Sequence, residues 1–301
     1  MRIVIIGSTG LIGSELMQLA LGRGHSVVAL SRKQVQAPRS ERVQYALWDG
    51  RTAADLVPLI EGSDTLVNLA GESIGKGPWT PSRKALQLSS RLEPARAVSA
   101  AWKMTREKPL LLVQASAIGI YGTGEDAREE TSTPGDDYLS NLAKQWEAAS
   151  VEVESLGARR VVIRTGVVLE KTHGVLPQVM LPFKFLVGGP IGSGKQVLSW
   201  IHIEDELRAI LSLIESPDSN GIYNLTAPQP VTNAEMGKAI SKITHLPYWM
   251  PMPAFALKLV LGEMSTLVLE GQNVLPRRLQ QAGFDFKFPS IDSALKNLLS
   301  K

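Results

Sequence analysis

The 301-residue sequence contains no cysteine. Disulfide scaffolds, thiolate nucleophiles and cysteine-ligated zinc are therefore excluded. Histidine is scarce too. His25, His173, His202 and His245 are scattered, with no pair at ligand spacing, so no metal is expected. Charge of one sign is lacking: 32 lysines and arginines face 29 acids, and no basic run forms a stripe. Nucleic acid is accordingly not an expected partner. No stretch reaches the roughly 18 uninterrupted apolar residues of a membrane span, so no membrane partner is expected. Met1-Arg2-Ile3 runs directly into an apolar segment. That start reads as folded sequence rather than a signal peptide, and a cytoplasmic location is the expectation.

What is present suits one large α/β domain, or a domain with a smaller lobe. Residues 2 to 6 are an apolar, mostly β-branched run that stops at Gly7. Gly10 and Gly13 follow at three-residue intervals, and Ser14 to Leu21 carries a helical apolar pattern. This is strand, tight turn, helix. Glycines let backbone N–H groups approach a phosphate, and a helix N-terminus favours negative charge there. Gly7, Thr9, Gly10, Leu11, Ile12 and Gly13 are thus candidate dinucleotide-binding residues.

The second strand, around residues 27–30, ends at Ser31-Arg32-Lys33. An acid near this point would bond the ribose 2′-hydroxyl of NAD. Here there are two cations and no acid. Arginine's planar fork suits phosphate, so NADP(H) is the expected cofactor, with Ser31, Arg32 and Lys33 at the 2′-phosphate. The alternative is that both cations open a polar loop through Glu41. Further strands are expected at 44–48, 65–70, 110–113, 160–164 and 221–225, with helices at 52–60, from Thr80-Pro81 to about Lys103, and over 138–156. Residues 124–137, acidic and rich in turn formers, read as a mobile surface loop. Strand–helix alternation predicts a Rossmann-like doubly wound parallel sheet, with ligand at the carboxyl ends of its strands. Residues 1–170, with 196–228 returning, form this domain. Residues 171–195 and 229–301 form a small, mainly helical substrate lobe, with helices near 233–244, 253–261, 276–282 and 291–299.

The G-x-x-G-x-x-G turn resembles that of short-chain dehydrogenases/reductases. Asn68-Leu69-Ala70-Gly71, Ser116 with Tyr121-Gly122, and Trp200-Ile201-His202 resemble the extended, epimerase-like branch. The segments 188–194, 269–272 and 276–278 are similar to the atypical epimerase family proteins that end in a C-terminal module of unknown function. The resemblance covers essentially the whole chain. It implies that Leu69, Ala70, Gly71 and Glu72 border the adenosine ribose and phosphates. It places Asp49 at the adenine edge, unless it is a turn aspartate, and Arg91 near the cofactor, unless it is a solvated arginine. It also sets the 165–169 turn, with Val167 and Val168, under the nicotinamide.

The same resemblance implies a serine, a tyrosine and a lysine for proton transfer. Ser116, five residues before Tyr121, takes the serine's place as donor to a substrate carbonyl and also borders the cofactor. The Tyr-x-x-x-Lys element is missing. In the register set by Trp146-Glu147, its slots hold Leu139 and Ala143. Tyr138 and Lys144 lie roughly 240° apart around a helix and do not face one site. Tyr121 is therefore the candidate proton donor or orienting group, with packing as the alternative. His202 is expected to order a strand-to-helix corner. Lys195 and Arg164 are candidates for an anionic substrate, or surface charges. The leading reading is an NADP(H)-dependent oxidoreductase or epimerase acting on a small polar molecule, perhaps nucleotide-linked. The rival is a non-catalytic NADP(H)-binding redox sensor. Homodimer formation stays open.

Overall fold

The structure, a computed structural model, describes residues 1–35 and 41–300. Most of the polar loop expected after Lys33 lies outside the described residues. The chain opens with β1 (Arg2–Ile6), α1 (Leu11–Gly22), β2 (Ser26–Ser31), β3 (Val43–Leu47), α2 (Ala53–Ile60), β4 (Thr65–Asn68), α3 (Pro81–Met104) and β5 (Leu111–Ala117). A 3-10 turn over Ile118–Tyr121 precedes β6 (Gly124–Arg128), α4 (Tyr138–Ala148), α5 (Glu152–Ser155), β7 (Arg159–Thr165) and β8 (Val167–Leu169). Then come α6 (Leu176–Lys184), β9 (Val197–Leu198), β10 (Trp200–His202), α7 (Ile203–Glu215), β11 (Gly221–Leu225), β12 (Val231–Thr232) and α8 (Asn233–Thr244). The end of the chain holds α9 (Ala254–Leu261), α10 (Thr266–Leu269), β13 (Gln272–Val274), α11 (Arg277–Gln281) and α12 (Ile291–Leu299).

Seven strands make one parallel sheet in the order β11-β7-β5-β4-β1-β2-β3. β1 sends Ile3 and Ile5 to one core and Val4 and Ile6 to the other. Leu16 of α1 and Leu207 and Ile210 of α7 cover the first face. Leu56 of α2 and Val98 and Trp102 of α3 cover the second. Burial on both faces is why these strands read as unbroken apolar runs. The strand order reverses between β1 and β4, so a ligand crevice opens at their carboxyl ends. This is the expected Rossmann-like, doubly wound sheet. Thr80 caps α3, its hydroxyl accepting from the Arg83 N–H at 3.2 Å, and Pro81 stands first in the helix.

Two local expectations fail. Residues 124–137 are not a free loop. Gly124–Arg128 pairs in parallel with β13, and Glu130, 7% exposed, accepts from the backbone N–H groups of Asn224 and Arg278. The partner strand lies far along the sequence, so no local pattern could announce it. The helix over 138–156 is broken after Ala148, and α5 turns Val153 into the core of the second face. A third core gathers Leu176, Phe183, Trp200, Ile240, Phe288 and Leu295, joining α6, α8 and α12. No helix among the described residues is long and apolar enough to cross a membrane.

Candidate functional site

The turn after β1 is shaped by contacts that exclude side chains. Gly7 has φ +83°, and a Cβ there would stand 3.1 Å from the Leu69 carbonyl. A Cβ on Gly13 would collide with the Gly7 carbonyl. The Gly10 N–H donates to that carbonyl at 3.0 Å, which closes the turn. Thr9 and Gly10 are exposed, and α1 begins with no side-chain cap, so the first-turn N–H groups of Leu11 and Ile12 face outward without one. The Ser8 hydroxyl ties the turn to the Leu30 carbonyl of β2 at 2.9 Å. A cradle that a Cβ would fill, opening on an uncapped helix of 12 residues, fits a dinucleotide phosphate.

Ser31, Arg32 and Lys33 follow at the carboxyl end of β2, both cations exposed and the Ser31 hydroxyl turned onto the Lys33 carbonyl. Across the switch point, the Leu69 N–H donates to Ile6 and the Ala70 N–H to the Asn68 side chain. Glu72 accepts from Arg83 at 2.9 Å. Asp49 resolves toward its turn role. Its carboxylate accepts from the N–H groups of Arg51 and Thr52, both at 2.8 Å, and from the Thr52 hydroxyl at 2.6 Å. The Thr52 hydroxyl and these N–H groups hold its pKa below the ordinary range.

Beyond these strand ends lies a cleft of about 360 Å³. Thr165, Gly166 and Val167 line it at the end of β7, Ala117 to Gly119 at the end of β5, and Leu267 and Gln272 from the C-terminal segment. Val168 lies just behind, in β8 against β10. Helix α4 turns Leu139, Leu142, Ala143 and Trp146 toward the cleft, so the face that would carry tyrosine and lysine is apolar. Most polar groups on the walls are engaged internally. The Ser199 hydroxyl donates to Gln272, the Gln272 amide to Gly122, and Asp137 caps α4 through Ser140.

Arg91 is not a solvated arginine. It is 7% exposed, lines the cleft, and lies 4.8 Å above the Trp146 ring. A Cβ on Gly71 would stand 3.3 Å from its guanidinium carbon, so glycine there makes room for it. Its Nη1 donates to the Gln87 carbonyl at 2.9 Å, and no carboxylate lies within 4.0 Å of it among the described residues. Burial pulls its pKa down to about 10, so it stays charged at neutral pH.

The two candidate catalytic hydroxyls face elsewhere. Ser116 is 4% exposed and donates to Glu147 at 2.6 Å, while its neighbour Ala117 lines the cleft. Tyr121, 3% exposed, donates to Asn224 and accepts from Arg164, both at 2.8 Å. Burial raises the Tyr121 pKa, and both of its hydrogen bonds are committed. Arg164 forks onto Glu147 at 2.8 and 2.9 Å. Burial works against its charge, but Glu147 and Tyr121 more than offset that, and its pKa stands above the ordinary value. Ser116, Tyr121, Glu147 and Arg164 thus form one buried polar network on the α4 side of β5 and β7, and Arg164 is not a surface charge. Lys195 is exposed and does not line the cleft. His202 does order its corner. Its Nδ1 accepts from the Glu204 N–H and its ring stacks on Phe288 at 3.8 Å.

Sequence reasoning set Tyr138 aside because it does not face Lys144, and it missed Glu206. Tyr138 lines the cleft, packs on Trp79 at 5.1 Å, and donates from its hydroxyl to Gln87 at 2.7 Å. Glu206 is fully buried below Thr165. Its signal was available: it stands three residues after Ile203 and four before Ile210, on the apolar stripe of α7.

The sequence model of the "NAD dependent epimerase/dehydratase family" matches residues 3–226, and a "domain of unknown function" matches 252–298. The chain is similar to the epimerase family protein YfhF of Bacillus subtilis, 40% identical over 304 residues that cover 100% of this chain and 98% of that protein. Among solved structures it resembles the human epimerase family protein SDR39U1 (isoform 2), crystallised with NADPH. That match has a TM-score of 0.89 and 33% identity, and covers 99% of each chain. It also resembles a nucleoside-diphosphate sugar epimerase from Corynebacterium glutamicum, with a TM-score of 0.77 and 28% identity, over 99% of this chain and 58% of that one. The sequence match over residues 3–226, on a Rossmann-like sheet of the extended short-chain dehydrogenase/reductase type, makes this chain a member of the NAD-dependent epimerase/dehydratase family.

Proposed function

We propose that the chain is an NADP(H)-dependent oxidoreductase or epimerase of this family, acting on a small molecule held in the cleft. The observation that carries the cofactor choice is the end of β2, where Arg32 and Lys33 stand exposed and no acid is present. The human relative's NADPH supports the same choice. When bound, the nicotinamide supplies hydride chemistry. Gly7 to Gly13 hold the pyrophosphate, Arg32 and Lys33 the 2′-phosphate, and Leu69 to Glu72 with Val167 and Val168 flank the remainder. Residues 171–195 and 229–301 act as the substrate lobe.

The walls narrow the substrate class. Ile74, Ile118, Leu139, Leu142, Val197 and Leu267 present apolar surface, and the nearby polar groups are largely engaged. A carbonyl compound with an apolar body suits this lining better than a sugar nucleotide, which needs many free hydrogen-bond partners. Titration of the protein with NADPH and with NADH, followed by nicotinamide fluorescence, tests the reading. Tight NADPH and weak NADH support it, and absence of binding by either overturns it.

The apolar face of α4 favours one second reading, a non-catalytic NADP(H)-dependent sensor. Turnover on any carbonyl substrate would sink that alternative. The functional assembly we favour is a homodimer joined through α9, whose residues Phe255, Leu259 and Val260 are 75%, 86% and 77% exposed.

A further inference from the structure

We infer that Tyr138 and Arg91 form the proton-transfer pair of this cleft, with Tyr138 Oη moving the proton and the Arg91 guanidinium holding the charge that forms. The inference rests on the NADP(H)-dependent carbonyl chemistry proposed above, and it supplies the proton that Leu139 and Ala143 cannot.

Position is the first argument. Tyr138 opens α4, one residue before the apolar slot at Leu139, and lines the same cleft. Arg91 arrives from α3, a different helix, and lies over Trp146, one helical turn beyond Ala143. A shared partner is the second argument. The Tyr138 hydroxyl donates to the Gln87 side-chain oxygen at 2.7 Å, and Arg91 Nη1 donates to the Gln87 backbone carbonyl at 2.9 Å. Gln87 is fully buried, so both groups are fixed relative to one residue.

Charge is the third argument. The other charged groups that act on the phenol, Lys84 and Glu263, are matched to each other. Lys84 Nζ lies 4.6 Å from the Tyr138 ring centroid but is paired with Glu263 at 2.6 Å. Glu72 is paired with Arg83, and Asp137 caps its own helix through Ser140. Arg91 alone is a buried cation without a carboxylate among these groups, and a tyrosinate is the anion it would stabilise. Burial raises the Tyr138 pKa while Arg91 draws it down, so the phenol stays protonated and able to donate. Lys144 is no rival, since it does not line the cleft and its ammonium is turned to the Gly135 carbonyl at 3.0 Å.

The proton step balances. The Tyr138 hydroxyl turns from Gln87 Oε1 to the substrate, and its O–H bond breaks as an O–H bond forms on the substrate's carbonyl oxygen, which carries the negative charge left when the carbonyl is reduced by NADPH. The tyrosinate is then reprotonated from water. In the oxidative direction the tyrosinate takes the proton from the alcohol.

Tyrosinate absorbance against pH tests the pair without any substrate. The difference between wild type and Tyr138→Phe isolates the Tyr138 titration. In an Arg91→Met background the midpoint is expected to rise by about one pH unit or more, and Arg91→Lys is expected to keep it near the wild-type value. An unchanged midpoint in Arg91→Met, with NADPH binding retained by the wild type, overturns the pair and leaves the functional reading standing. Failure of the wild type to bind NADPH removes that reading, and the inference with it. With a carbonyl substrate that the wild type reduces, Tyr138→Phe is expected to lose about a hundredfold in kcat with little change in KM. Equal kcat values would also overturn the pair.

Discussion

The Glu206 carboxyl accepts a hydrogen bond from the Thr165 hydroxyl at 2.8 Å, and its second oxygen has no partner. Thr165 lines the cleft, so a fully buried acid stands directly behind the wall of the site. Burial pushes its pKa from 4.5 up to about 8. Below about pH 4.5 both folded and unfolded chains hold this proton. Between about pH 4.5 and 8 the unfolded chain releases it and the folded chain keeps it, so stability falls as pH rises. The full loss is on the order of 5 kcal/mol, reached above about pH 8. Glu206→Gln removes that component. Urea unfolding of both proteins at about pH 5 and about pH 8.5 should show the variant gaining on the wild type at the higher pH. A difference independent of pH would mean that the acid ionises without penalty.

Ser116 and Tyr121 are expected to matter for the fold more than for the chemistry. Ser116→Ala removes one hydrogen bond to Glu147, which also keeps both contacts to Arg164. The cost should be about 1 kcal/mol, with NADPH affinity unchanged. Arg164→Met strands the largely buried Glu147 carboxylate and the buried Tyr121 hydroxyl, and should cost roughly 3 kcal/mol. Thermal melts and NADPH titrations of both variants check this. A Ser116→Ala protein of native stability that has lost turnover would return Ser116 to the catalytic list.

The contrast shows what a sequence can and cannot carry. The glycine turn was legible because its spacing is local: Gly13 is forced by Gly7 and Ser8 within one strand–turn–helix unit, whereas the contact that crowds Gly7 comes from Leu69 and Ala70 beyond β4. The parallel sheet was legible because burial on both faces writes unbroken apolar runs such as residues 3–6. The direction of the Ser116 side chain was not. Ser116 and Ala117 alternate across β5, and only Ala117 lines the cleft while Ser116 joins the buried network, so a shift of one residue exchanges them. The proximity of Arg91 to Tyr138 was likewise hidden, because it depends on how α3 packs against α4. Strand β6 needed a partner some 150 residues later to exist at all, as the Gln272 pairing with Gly124 shows.

Arg32 offers the sharpest test of cofactor choice. It is exposed, so Arg32→Ala leaves the fold intact. A lost phosphate contact should weaken NADPH binding about tenfold or more and leave NADH binding within about twofold. Parallel fluorescence titrations separate the two effects. Equal weakening of both cofactors would place Arg32 at a part of the nucleotide they share and would remove the argument for a 2′-phosphate site.

Helix α9 makes the last prediction. Its sequence AFALKLVL has one charged residue, Lys258, and the helix buries none of its side chains. Phe185, at the end of α6, and Trp249, between α8 and α9, are also 70% and 62% exposed. A monomer would leave all of this in water, at a cost that grows with apolar area. With so little charge on the helix, an oppositely charged partner has nothing to recognise. The partner proposed above for this apolar surface is a second copy related by a twofold axis. Sedimentation equilibrium should therefore find a dimer at micromolar concentration. Phe255→Asp combined with Leu259→Asp should raise the dimer dissociation constant at least tenfold and leave NADPH affinity unchanged, because neither residue lines the cleft. A wild type that sediments as a monomer across this range would rule out the dimer and leave α9 as a surface for a different partner.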